Sequence, residues 1–223
     1  MLSSGSMKRG LLLVGDTVTM TKSPLDKATY PLFGDAGTAT ALSYEEGAPT
    51  LHFETGTDGK GHRAIIIEDG GYRNPVTPES FEVTHYEDGT IRNKLQSYLN
   101  GQDVFIFGIT KAPKSIKNLI VHAGWTADEL DYLLLHQANK LMLQKIAKKV
   151  GVSFDRVPLS LDEYGNTSSA SIPLTMVVRL REQLESGNEL KMVACGFGVG
   201  LSWATVSLAL SNLVVSPLQI ISE

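Results

Sequence analysis

An α/β fold is predicted by three features of the second half of the chain. Residues 101–123 and 140–150 place apolar side chains at helical spacing. Residues 133–135 are three consecutive leucines that run straight into a polar cluster. Residues 190–210 read as strand, glycine-rich turn and strand. Short apolar strands alternating with helices are the pattern of packed sheet and helix layers.

The elements follow in order. "GLLLVGD" (10–16) is a continuous apolar run between glycines, expected as a strand buried on both faces. "MLSSGSMKR" before it reads as the end of a helix. "GTATALSYEE" (37–46) is β-rich, with small residues that allow close backbone approach. Residues 54–80 are dense in Gly, Pro, Asp and Thr and are expected as a long loop with one short strand at 65–67. Within them "GTDGKGH" has no Ser or Thr after its lysine and no helix following, so a phosphate loop is not indicated. From 101 onward Pro113 must bend or begin a helix. Thr126 and Glu129 have the spacing of a capping box, opening a short helical turn that feeds a strand over 132–135. "KLMLQKIAKKVGV" is a helix with a stripe at Leu143, Ile146 and Val150, stopped by Gly151. "SASIPLTMVVRLREQLESG" is expected as one helix, with Ser169 or Ser171 near its cap, Pro173 in its first turn and Gly187 at its end. "LKMVACGFGVGLSWATVSLAL" is a hairpin. The tail "NLVVSPLQIISE", interrupted by Pro217, is expected as an edge strand or packed extension.

Composition narrows the function. The chain has 223 residues, 42% hydrophobic and 20% charged, which suits a globular protein. A net charge of −4 offers no dominant basic face for nucleic acid. A single cysteine, Cys195, cannot form a disulfide within the chain, and a cytoplasmic location is expected. No apolar run is long enough to span a bilayer, and the first residues make a poor signal peptide. His52, His62 and His85 are too scattered to read as a metal site, and no cofactor is indicated.

Three stretches carry polar groups suited to chemistry. His136 follows an apolar strand and precedes a helix, where crevices form at strand ends. Its neutral ring could donate to a substrate oxygen, or be satisfied by backbone as a core histidine. Asn166, in "YGNTSSAS" (164–171), lies at a helix mouth, as a donor or as part of a capping turn. The glycines of "GFGVGLSW" (196–203) allow either a tight hairpin or a backbone N–H pocket for an oxyanion. Together the three suggest a site that stabilises an enolate. No carboxylate partner for the histidine is evident, so a hydrolytic triad is not.

"HQAN" (136–139), "GNTSSASIP" (165–173) and "GFGVGLSW" (196–203), in this order and spacing, resemble the C-terminal half of a β-ketoacyl-acyl-carrier-protein synthase III, of the thiolase superfamily. "LLLVGD" (11–16) and "LFGDAGTATAL" (32–42) resemble upstream strands of the same family. The resemblance implies a thiolase-like fold of α/β/α/β/α layers, with residues 1–95 the remainder of the N-terminal half and 96–223 the complete C-terminal half. It implies decarboxylative Claisen condensation of acyl-CoA with malonyl-ACP in fatty acid biosynthesis, usually by a homodimer. His136 and Asn166 would hold the malonyl thioester oxygen, and the backbone N–H of Val199 the acyl thioester oxygen. Phe105, Asn139, Phe197 and Gly198 would line the substrate site. Lys140 and Lys145 would meet an acidic acyl carrier protein, unless that helix face is simply solvated.

The sequence departs from the family at two points. The nucleophilic cysteine belongs just upstream of what "LSSGSMKRG" (2–10) resembles, and Cys195, in a buried strand, does not replace it. A shortened or mis-started synthase and a natural half-protein both fit. Either is expected to be inactive alone in condensation and to associate through exposed strand edges. The second departure is Leu141, where the family often has arginine. It keeps open another thiolase-fold acyltransferase or ketide synthase, beside a non-catalytic partner subunit.

Overall fold

The structure, a computed structural model, describes residue 2 and residues 4–221. Strands β1 (Arg9–Asp16) and β2 (Ala36–Ser43) form an antiparallel ribbon running from Arg9 opposite Ser43 to Asp16 opposite Ala36. Gly15 and Gly37 face each other so closely that a Cβ on Gly15 would lie 3.0 Å from the Gly37 Cα. The expected burial of β1 on both faces does not hold. Leu11 and Leu13 are 64% and 67% exposed, because this two-stranded ribbon has no layer over its leucines among the described residues. The residues before it form turns rather than a helix end, and Met1 and Ser3 of that stretch lie outside the described residues.

The middle of the chain holds more strand than its composition suggested. β3 (His52–Thr57) takes in the start of the expected loop. Beyond it come β4 (Ile65–Ile66), β5 (Thr84–His85), β6 (Ile91–Arg92) and β7 (Tyr98–Leu99), paired β4 with β7 and β5 with β6. The "GTDGKGH" stretch is a 3-10 turn over Gly59–Gly61, with the Asp58 carboxylate accepting from the Lys60 N–H at 3.3 Å.

Helix α1 (Gly101–His122) starts at Asn100, whose Oδ1 accepts from the Asp103 N–H at 3.1 Å. Pro113 neither begins nor ends it. The N–H that proline lacks would have bonded the Ile109 carbonyl, and Lys149 Nζ donates there instead at 2.9 Å. The Glu129 carboxylate accepts from the Thr126 N–H at 2.8 Å, and the turn it closes leads into β8 (Tyr132–Leu135). α2 (Lys140–Val150) ends where Gly151 adopts φ 94°, the left-handed stop that glycine takes without strain. The single turn α3 (Leu161–Tyr164) follows. The helix expected over 169–187 is two, α4 (Ser171–Arg179) and α5 (Arg181–Glu185). Leu180 breaks it at φ −124°, which turns that side chain into a core shared with Leu134, Leu184 and Met192.

β9 (Leu190–Gly198) and β10 (Ser202–Leu210) form the expected hairpin and complete a mixed sheet of order β3-β10-β9-β8, in which only β8 and β9 are parallel. Three leucines in a row on β8 are explained by this sheet. Leu133 and Leu135 face Phe107, Ile116, Leu143 and Ile146 of α1 and α2, and Leu134 faces the opposite core. A strand covered on both sides has no polar face to present. β3 pairs antiparallel with β10, so residues 52–57 share this sheet with the second half of the chain. As far as residue 221 the tail forms no strand. Val215 packs down, its N–H donating to the Glu185 carboxylate at 3.1 Å, while Val214 and Ile221 are exposed. Among the described residues no helix is long and apolar enough to cross a membrane.

Candidate active site

The polar cluster after β8 divides into two roles. The backbone N–H of His136 continues the parallel pairing, donating to the Cys195 carbonyl at 3.0 Å. Gln137 is fully buried and structural. Its Nε2 donates to the Leu135 carbonyl at 2.8 Å and its Oε1 accepts from the Ser160 N–H at 3.0 Å. Asn139 caps α2, with Oδ1 accepting from the Met142 N–H at 2.9 Å. That turn brings His136 and Asn139 to the wall of a cavity of about 530 Å³.

The His136 ring stands edge-on to Phe197 with centroids 5.4 Å apart, and Nδ1 lies 2.8 Å from the Ser171 hydroxyl. Burial pulls the imidazole down to about 4, with the Ser168 backbone opposing in part. The ring is therefore neutral at pH 7 and leaves Nε2 for a ligand. Asn166 reaches the same cavity from a different element. Its backbone is zipped to 32–34: its N–H donates to the Leu32 carbonyl at 2.8 Å, and its carbonyl accepts from the Gly34 N–H at 3.1 Å. Glycine at 34 is required, since a Cβ there would lie 2.1 Å from the Tyr164 carbonyl oxygen. The Asn166 Oδ1 accepts from the Ser168 N–H at 2.9 Å, which orients the amide and leaves Nδ2 as its free donor.

The third stretch closes the cavity. Phe197, Gly198 and Val199 line it at the end of β9, the Val199 side chain exposed at the edge. Phe105 is half-buried and packs against the core, and its neighbour Val104, in that same core, lines the cavity. Lys140 and Lys145 are exposed on α2. Cys195 lies on β9 and is buried in the core under α1 and α2, where the Thr205 hydroxyl contacts its Sγ at 3.3 Å and burial pushes the thiol up to about 12. It is not a thiolate at physiological pH. Among the lining residues that sequence reasoning missed are Lys22 and Phe33, and Ser171, expected near a helix cap, is the first residue of α4 and the partner of His136. Ser171 was legible as helix-start chemistry, but no local pattern marks Lys22.

A two-faced sheet between helical layers, with a neutral imidazole and an amide at its edge, is a thiolase-like α/β architecture. Among solved structures, 3-oxoacyl-(acyl-carrier protein) synthase from Burkholderia xenovorans LB400 superposes with a TM-score of 0.87 at 38% identity, over 97% of this chain and 60% of that one. The synthase III of Pseudomonas aeruginosa PAO1 gives 0.78 at 29% identity, over 96% and 61%. The family model described as 3-oxoacyl-[acyl-carrier-protein (ACP)] synthase III matches residues 1–59, and its C-terminal counterpart matches 120–210. The beta-ketoacyl-[acyl-carrier-protein] synthase III of Lactococcus lactis subsp. cremoris MG1363 is 31% identical over 212 residues, 94% of this chain and 62% of that protein. The chain belongs to the 3-oxoacyl-[acyl-carrier-protein] synthase III family, and it spans about 60% of the length of the relatives it matches. The priming β-ketosynthase of the R1128 polyketide pathway, at 23% identity and a TM-score of 0.73, shares the fold.

Proposed function

We propose that the cavity is the enolate-stabilising part of a decarboxylative condensing site, acting on malonyl-ACP and acyl-CoA in fatty acid biosynthesis. The observation that carries this reading is that His136 and Asn166, held by different elements, line one apolar cavity with Nε2 and Nδ2 both available. The malonyl thioester oxygen sits between those donors. The bond to the carboxylate breaks, carbon dioxide leaves, and its electron pair becomes an enolate whose charge falls on that oxygen. A neutral histidine suits the task, because it donates a hydrogen bond without surrendering a proton. The enolate carbon then attacks an acyl thioester whose oxygen is held by the Val199 N–H. Asn139, Phe197 and Gly198 bound the space the substrates occupy.

The acyl group needs a reactive thiol, and buried Cys195 does not supply one. The 223 residues by themselves therefore decarboxylate but do not condense. Lys140 and Lys145, exposed on the helix whose first turn borders the cavity, form the contact for an acidic carrier protein, in a cytoplasmic homodimer. The test is release of carbon dioxide from malonyl-CoA by the chain, which N166A and H136A should each slow about 10²–10³-fold. Equal rates in all three proteins would refute the reading. A non-catalytic partner subunit is the second reading, drawn from the exposed β1 leucines, and it requires those rates to be equal.

A further inference from the structure

Lys22 is a buried cation that the condensation chemistry leaves unused. It is 6% exposed, it lines the same cavity as His136 and Asn166, and none of the ion pairs among the described residues includes it. Its Nζ is positioned on two sides. It donates to the Ser97 hydroxyl at 2.5 Å and stands 3.8 Å above the centre of the Phe33 ring. The nearest acid in its own turn, Asp26, already accepts from the Thr29 hydroxyl at 2.6 Å and the Ala28 N–H at 2.9 Å. Phe33 pairs through its backbone with Asn166, so one residue separates this ammonium from the amide that faces the thioester. The rest of the cavity is largely apolar, with Leu99, Val104, Met142 and Phe197 among its walls.

An ammonium has three donors. Here one is used by Ser97 and one face is taken by an aromatic ring. A charge withdrawn from water without a paired carboxylate is costly. Burial already draws this lysine down to about 8, with Asp26 opposing. A ligand oxyanion entering the cavity would meet a pre-positioned, poorly solvated partner, the condition in which a charge pair is strongest.

We propose that Lys22 is a specificity-determining residue that receives a free carboxylate on the thioester's acyl group. This rests on the condensing-site reading. The carboxylate could be that of the extender, before it is lost, or a terminal one on the acyl donor. Malonyl-CoA and glutaryl-CoA, with acetoacetyl-CoA and 5-oxohexanoyl-CoA as uncharged counterparts of similar shape, separate the two sources.

Affinities of all four for the 223-residue chain, K22M and K22R are measured by calorimetry, with circular dichroism confirming that each protein is folded. The native chain should prefer a carboxylated thioester to its counterpart. K22M should collapse that preference about 30-fold or more, and K22R, which keeps the charge, should retain part of it. The pair in which the collapse occurs identifies extender or donor. No preference in the native chain, or a preference unchanged in K22M, overturns the proposal. N166A is assayed in parallel for malonyl-CoA decarboxylation. An unaffected rate there defeats the condensing reading and leaves the Lys22 result to be judged on its own.

Discussion

His136 is neutral because burial strips water from its charged form, and this has a measurable consequence. Its pKa falls from 6.5 to about 4 on folding, so between those values the unfolded chain binds a proton that the folded chain refuses. The stability from this group is present above pH 6.5 and is lost as pH falls toward 4. Urea denaturation across that window should show stability declining with acid, with a shallower slope in H136Q. Histidine NMR should find the His136 ring neutral at pH 6. The Cys195 thiol offers a second check. At about 12, and covered by the core under α1 and α2, it should resist iodoacetamide at pH 8 in the folded chain and react promptly in urea. Rapid alkylation of the native protein would mean that the β9 core opens readily. His136 was legible as a candidate because a polar side chain at an apolar strand end needs a reason, and Asn166 because an amide in a small-residue turn at a helix mouth can serve as a donor. Lys22 was not, because a lysine in a polar loop ordinarily points to water.

At the scale of elements, two glycines set how closely the site is drawn together. Gly34 lets the 32–34 segment lie against 164–166, and G34A would place a carbon 2.1 Å from the Tyr164 carbonyl. That is backbone against backbone, so the pairing that holds Asn166 must shift. Malonyl-CoA decarboxylation should fall in G34A even where circular dichroism is unchanged. Gly108 lies on α1 where a Cβ would meet Met142 Sδ at 2.7 Å and the Phe197 ring at 3.2 Å. G108V should cost about 1–3 kcal/mol by overpacking, read as a lower midpoint in thermal denaturation. The helix over 140–150 and the strand over 132–135 were readable to the residue, because a glycine stop and a doubly buried strand are local signals. The break at Leu180 was not. Its helical pattern continues through the break, and what stops the helix is a core pocket formed by Leu134 and Met192.

For the whole molecule, the leucines of β1 matter most. Leu11, Leu12 and Leu13 expose both faces of the ribbon, and apolar surface joined to a strand edge favours association. Sedimentation velocity should show the chain associating as concentration rises, and the double variant L11K/L13K should remain monomeric. A native chain that sediments as a monomer at every concentration would show that the ribbon is protected in solution. The apolar run was read correctly as a strand and incorrectly as covered. Hydrophobicity states what a strand needs over it, and the partner that meets the need is a separate matter.

By itself the sequence determined part of the local conformation: the helix over 140–150 with its glycine stop, the strand over 132–135, the hairpin over 190–210, and which three stretches hold groups fit for an oxyanion. These depend on spacing along a few turns of chain. The tertiary structure alone decided that β3 joins the main sheet, that the Asp16 carboxylate accepts from the Ser169 hydroxyl 153 positions away, and that Lys22 meets Ser97 across 75. Such pairings come from the path of the whole backbone, which no periodicity within a single segment encodes.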